Sequence, residues 1–78
     1  MNPFDQLQQT IAATLRVAPA KVMTSTCSED LAAWDSLGQV NLMMALEETF
    51  GVYIEVEDFD KLKSVQAILD YLAKQGVT

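Results

Sequence analysis

The 78-residue chain has no histidine and only one cysteine, Cys27. These absences remove several kinds of chemistry at once. A serine nucleophile needs a neighbouring base to take its proton, and without imidazole a hydrolase triad has no central member. A lone thiol cannot close an intramolecular disulfide, and with no His or second Cys a soft metal site cannot be assembled. Cys27 therefore reads as a small packing residue of a protein kept in a reducing compartment, the cytoplasm. Proline is scarce too, with two residues, while half of the chain is hydrophobic, a composition at odds with disorder.

Long apolar runs are missing as well. Nothing approaches the roughly 20 apolar residues that cross a bilayer, and the N-terminus has no basic region followed by an apolar stretch, so neither a membrane span nor an export signal is expected. The chain shows no internal repeat and no low-complexity segment. Its length suits one domain over residues 1–78, with a modest core, since a domain of this size buries only roughly 60 % of its unfolded surface. Met1 and the short tail suit a free-standing protein, and a monomer is expected.

Positive charge is absent from the middle of the sequence. From Glu29 to Asp60 there are nine acids and no Lys or Arg, whereas the flanks hold five basic residues against Asp5 and Asp70, within a formal net charge of −6. Such a block repels phosphate backbones, which argues against nucleic acid as a partner, and draws basic protein surfaces. Part of it, notably Glu55 to Asp60, also serves solubility. Asp58 and Asp60 lack the glycine and terminal ligand of a calcium loop, so no metal is assigned to them.

What is present is helical periodicity. Asn2-Pro3 reads as a cap and first-turn proline, opening a helix with Asp5 in its first turn and an inner stripe of Phe4, Leu7, Ile11 and Leu15. It is expected to run to about Arg16, with Pro19 stopping it. From Val17 to Asp35 no period is sustained and Thr24, Ser25, Thr26 and Ser28 favour a loop, long enough to suggest function. Val22, Met23, Leu31 and Trp34 are expected to pin it to the core, with Trp34 as a packing residue.

A second helix starts at Trp34-Asp35-Ser36-Leu37-Gly38 and runs to Phe50, with Gly51 ending it. Asp35 and Ser36 are both favoured N-caps, and Ser36 with Gln39 fits a capping box. A first-turn hydroxyl points outward beside N–H groups that lack helical partners, where a phosphate is stabilised. Ser36 is thus a candidate attachment point for a cofactor. At about 100° per residue, Leu42, Met43, Leu46 and Phe50 form a core stripe. Leu37, Val40 and Met44, flanked by Glu47 and Glu48, form another that so small a domain leaves for a partner.

Val52-Tyr53-Ile54 is an apolar link with no companion strand. Glu57 to Leu62 makes a short helix or a single turn. Ser64 caps a last helix whose Val65, Ile68, Leu69 and Leu72 face inward, with Gly76 beyond its end. The expected architecture is all-α: a small four-helix bundle, three main helices plus one short helix, with a long loop between the first two.

Asp35-Ser36-Leu37, the helix ending Met44-Ala45-Leu46-Glu47-Glu48-Thr49-Phe50, and Val65-Gln66-Ala67-Ile68-Leu69-Asp70-Tyr71-Leu72 together resemble the acyl carrier proteins, from Phe4 to about Leu72. The resemblance implies a carrier, not an enzyme. In such a carrier Ser36, with Asp35 beside it, receives 4′-phosphopantetheine from coenzyme A through a separate magnesium-dependent phosphopantetheinyl transferase. The arm then holds acyl groups as thioesters for partner enzymes of fatty-acid, polyketide or related lipid biosynthesis. The family's partner face maps onto Leu37, Val40, Met44, Glu47 and Glu48, and it meets loading, elongating or transfer enzymes through their basic docking surfaces.

Two departures stand out. Gly38, Gln39 and Asn41 replace the acids usual just after the triplet, and Asp30-Leu31-Ala32-Ala33-Trp34 replaces a shorter, glycine-containing approach. The first implies different partners, and the Trp34-Asp35-Ser36-Leu37-Gly38 start looks more like specialised carriers of dedicated biosynthetic pathways. Phe59 and the Val52–Ile54 link are candidates for one end of an acyl-binding cleft. The competing class is a cofactor-free helical interaction domain in which Ser36 only caps; within the carriers, an aminoacyl carrier is the alternative.

Overall fold

Phe4, Leu7, Ile11 and Leu15 recur at steps of three and four, and in the computed structural model, which describes residues 3–76, they lie along one side of helix α1, Pro3–Leu15. Leu7, Ile11 and Leu15 are buried, and Phe4 packs half-buried against the same cluster. The expected Asn2 cap lies outside the described residues. Arg16, rather than Pro19, ends the helix. Its φ of 59° is left-handed, and the Val17 N–H reaches back to the Ala12 carbonyl at 3.0 Å, a Schellman-type ending. The helix stops one residue earlier than the periodicity predicts, and Pro19 instead opens a 3-10 turn, Pro19–Lys21.

The long loop that follows is tethered along its length. Gln8 Nε2 donates to the carbonyls of Pro19 and Val22 at 2.9 and 2.8 Å, holding the first turn against α1. Val22, Leu31 and Trp34 are buried as expected, but Met23 is 55 % exposed. The buried residue there is Thr26, whose hydroxyl accepts from Met23 N–H at 2.9 Å and donates to the Lys21 carbonyl at 3.2 Å. A closed turn thus takes the place of the expected apolar anchor. A second 3-10 turn, Ser28–Asp30, follows. Cys27 is half-buried, with its thiol 3.4 Å from the Asp30 carboxylate.

Helix α2, Ser36–Phe50, buries Leu42, Met43 and Leu46 completely, with Phe50 half-buried at the edge of the core. It ends at Gly51, whose φ of 65° is the left-handed conformation that favours glycine. Residues 52–55 form no helix or strand, with Ile54 buried and Tyr53 exposed. The short fourth helix is a 3-10 segment, Val56–Lys61. Helix α3, Val65–Lys74, is capped by Ser64, whose Oγ accepts from Ala67 N–H at 3.1 Å. Val65, Ile68 and Leu72 are buried, Leu69 half-buried, and Gly76 follows the helix at a φ of 90°.

Among the described residues the architecture is therefore all-α, three main helices and one short one besides the two 3-10 turns of the long loop. Among the described residues the β pairing is a single antiparallel bridge between Cys27 and Ser64. Around it Ser28 N–H donates to the Lys63 carbonyl at 2.7 Å and Val65 N–H to the Thr26 carbonyl at 2.9 Å. These bonds lash the long loop to the start of α3 and so bring Ser28 and Lys63 to the same end of the bundle as the start of α2.

Candidate functional site at the start of helix α2

Asp35 is the N-cap of α2. Its backbone is extended, its Oδ1 accepts from Gly38 N–H at 2.8 Å, and its own carbonyl accepts the first helical bond from Gln39 N–H at 2.8 Å. Ser36 is the first helical residue and not the cap, so the Ser36–Gln39 capping box does not form. The consequence for Ser36 is freedom. Its side chain is exposed, and among the described residues no hydrogen bond engages its Oγ or the N–H groups of Ser36 and Leu37. A free hydroxyl stands beside the positive end of a helix dipole.

Gln39 has a different role from the one its spacing predicts. It is buried, its Oε1 accepts from the Trp34 indole N–H, and its Nε2 donates to the carbonyls of Phe59 and Leu62 at 2.7 and 3.0 Å. One amide thereby joins three segments: the loop before Ser36, the first turns of α2, and the 3-10 segment. Trp34 is held by this bond as well as by packing. No residue-spacing signal marks Gln39, because its partners lie about twenty residues further along the chain.

Gly38 lets the loop approach the helix. A Cβ there would stand 2.2 Å from the Ala33 carbonyl oxygen and 3.1 Å from Leu15 Cδ2. The absence of a side chain is what allows the Ala33 backbone to lie on the first turn of α2 and present Asp35 and Ser36 at the surface.

Beside Ser36 opens a cleft of about 430 Å3. Trp34, Gln39 and Val40 line it from the α2 side of the chain and Phe59, Asp60 and Lys63 from the 3-10 segment and the residues after it, together with Ser28 and Asp35. Phe59 thus reaches this cleft, half-buried, whereas the Val52–Ile54 link is not among its lining residues. Lys63 Nζ lies 3.7 Å from Asp60 at the rim.

The outer stripe of α2 is exposed: Leu37 at 69 %, Val40 at 43 % and Met44 at 60 %, with Met43 wholly buried on the other side. Glu48 is exposed beside it, but Glu47 is half-buried and accepts from Ile54 N–H at 2.9 Å, so its carboxylate braces the chain after the helix. Asp58 is engaged by Lys61 at 3.6 Å and by the Tyr71 hydroxyl at 3.2 Å. Partial burial, then the Asp58 carboxylate, pushes the Tyr71 phenol above its ordinary pKa of 10.0. Among the described residues no group of three His, Cys, Asp or Glu side chains converges as a metal site.

The arrangement offers a solvent-facing serine whose hydroxyl is bonded to no base, with Asp35 engaged by the Gly38 N–H, and it is suited to receiving a group and holding it out. Comparison with known proteins points the same way. Residues 5–72 match the family described as the phosphopantetheine attachment site. A protein named acyl carrier protein from Thermosynechococcus vestitus is 46% identical over 70 residues, covering 88% of this chain and 85% of that protein.

Proposed function

Because the chain belongs to the acyl carrier protein family, we propose that Ser36 is the residue on which it carries 4′-phosphopantetheine, with Asp35 setting its position. The protein is a carrier of acyl groups and not an enzyme, and phosphopantetheine is its covalent cofactor. Carriage implies enzyme partners, among them a phosphopantetheinyl transferase. Among the described residues no helix is long and apolar enough to cross a membrane.

The observation that carries the assignment is the combination at residue 36. The residues fit the group: an unengaged hydroxyl, exposed, at the first position of α2, with two helix-terminal N–H groups available to a phosphodiester. When bound, the arm supplies a thiol that holds a carboxylic acid as a thioester. The protein's own residues do the rest. Asp35 ties up the Gly38 N–H and fixes the helix start, and Gly38 allows the loop to lie close. The Gln39 bonds keep the cleft wall in place.

Leu37, Val40 and Met44 form the face presented to partner enzymes, with Glu48 and the wider acidic block steering basic docking surfaces toward it. Glu47 contributes charge to that field while its carboxylate is held by Ile54. We assign the chain as one monomeric domain over residues 1–78, acting in the cytoplasm. Intact mass before and after incubation with coenzyme A, magnesium and a broad-specificity phosphopantetheinyl transferase tests the assignment. Wild type should gain one arm and Ser36→Ala none; a gain on folded Ser36→Ala refutes Ser36.

A further inference from the structure

The cleft beside Ser36 and the interior behind it differ in chemistry. Behind it, Leu42, Met43 and Leu46 of α2 pack without exposure against Leu7, Ile11, Ile68 and Leu72. A hydrocarbon chain carried on the arm from Ser36 would reach that interior by passing between α2 and the 3-10 segment Val56–Lys61, and Gln39 bridges that gap. Its side chain is bonded to the Phe59 and Leu62 carbonyls on the far side and to the Trp34 indole on the near side.

Opening the gap breaks the two bonds from Gln39 to the Phe59 and Leu62 carbonyls, while the Trp34 bond stays on the α2 side. That strands the Gln39 amide N–H groups and two carbonyls against an alkyl chain that can pair with none of them. Among the described residues every buried side-chain N or O has a partner, so no unpaired buried side chain stands ready to exchange with Gln39.

The open cleft in front is of mixed character. Trp34, Val40 and Phe59 give it apolar surface, while Ser28, Asp60 and Lys63 bring hydrogen-bonding groups. Ser28 is half-buried, and among the described residues its hydroxyl makes no hydrogen bond. Lys63 and Asp60 form only a loose, largely exposed pair at 3.7 Å, which leaves both able to meet another group.

We propose that the cargo class of this carrier is a short acyl group bearing hydroxyl, keto or amino functions, received in the cleft between Trp34 and Lys63, and that Gln39 closes the bundle to long hydrocarbon chains. Gln39 acts here as a positioning and selecting residue and takes part in no bond-making step. The inference rests on attachment at Ser36.

The test uses the whole protein. Butyryl-, 3-hydroxybutyryl-, octanoyl- and hexadecanoyl-coenzyme A are each offered with magnesium and the transferase. Serine Oγ forms the phosphodiester and the nucleotide leaves as adenosine bisphosphate. Intact mass confirms loading. Neutral hydroxylamine then attacks the thioester carbonyl, giving a hydroxamate and the free thiol, and each rate is divided by that of the same acyl group on free pantetheine.

One added hydrogen bond is worth about threefold, so the 3-hydroxybutyryl ratio should fall at least that far below the butyryl ratio. Octanoyl and hexadecanoyl ratios should match butyryl to within the same factor. The Gln39 side-chain amide resonances should not move with chain length.

Ratios that fall steadily from butyryl to hexadecanoyl, with displaced Gln39 resonances, would overturn the proposal by showing the interior open. Equal ratios for butyryl and 3-hydroxybutyryl would overturn the cleft's selectivity. Failure of folded protein to load at all, with a control carrier loading in the same mixture, would remove the Ser36 assignment itself and is read by mass before hydroxylamine is added.

Discussion

Replacing Gly38 with alanine sets two effects against each other. In an exposed helix interior the change favours folding by about 1 kcal/mol, since alanine loses less backbone entropy than glycine. At this position the new methyl would stand 2.2 Å from the Ala33 carbonyl oxygen and 3.1 Å from Leu15 Cδ2. Ordinary contact begins at 3.4 Å, so the first partner must retreat by more than an ångström. Being backbone, it cannot rotate away. Relieving such a contact costs about 1–3 kcal/mol, and a backbone obstacle belongs at the upper end.

The net expectation for Gly38→Ala is a loss of about 1–2 kcal/mol, out of the roughly 4–12 kcal/mol that a domain of this length can be expected to have. That corresponds to a fall in Tm of about 5–15 °C. Urea unfolding followed by far-UV circular dichroism measures it. Because the displaced Ala33 precedes Asp35 and Ser36, transfer of the arm should slow in the same variant while the helix content is retained. A variant as stable as wild type, or more so, would refute the close approach of loop and helix.

Asp35→Ala removes the N-cap acceptor of Gly38 N–H and should cost about 0.5–2 kcal/mol in urea unfolding, while Ser36→Ala, at the first helical position, should cost less than about 0.5 kcal/mol. Gln39→Leu leaves the Trp34 indole N–H and the Phe59 and Leu62 carbonyls without their partner; a loss of about 2–5 kcal/mol is expected, and a loss below 0.5 kcal/mol would refute the role given to Gln39. Glu47→Ala frees the Ile54 N–H and should lower stability by about 1 kcal/mol, with faster amide exchange at Ile54 as the site-specific readout. The Tyr71 phenol is raised above 10.0 by partial burial and the Asp58 carboxylate, so its neutral form is favoured in the folded protein. That stability is present below the unfolded pKa and lost as pH rises through the higher folded one. Tyr71→Phe should therefore unfold at lower urea than wild type near neutral pH, with the gap closing above about pH 10; a gap that does not close would refute the pairing.

The fold was largely legible because its signals are local. Helices α1, α2 and α3 announce themselves by apolar spacing, and their core residues follow from it, as do the Ser64 cap and the Gly51 stop. The outer stripe of Leu37, Val40 and Met44 was legible for the same reason: too many apolar residues for one buried face. Errors fall where partners are distant or where conformation decides. Arg16 ends α1 by adopting a left-handed φ that its side chain does not advertise. Met23 was given an anchoring role that Thr26 performs, because a hydroxyl closing a turn on Lys21 and Met23 satisfies burial without being apolar.

The start of α2 divides most sharply between the two sources. Sequence alone determined that, in a chain with no histidine, a serine sits where a helix begins, since residue types and capping preferences act within a few residues. It also determined the acidic middle and the exclusion of histidine-dependent chemistry, which are matters of composition. Only the tertiary structure decided that Asp35 caps and Ser36 is left free, because both are good caps and the choice depends on how the loop enters. It alone decided that Gly38 admits the Ala33 backbone and that Gln39 binds Trp34, Phe59 and Leu62. Those contacts join residues that spacing along the chain does not relate, and a hydrogen bond is set by where the chain brings its two ends together.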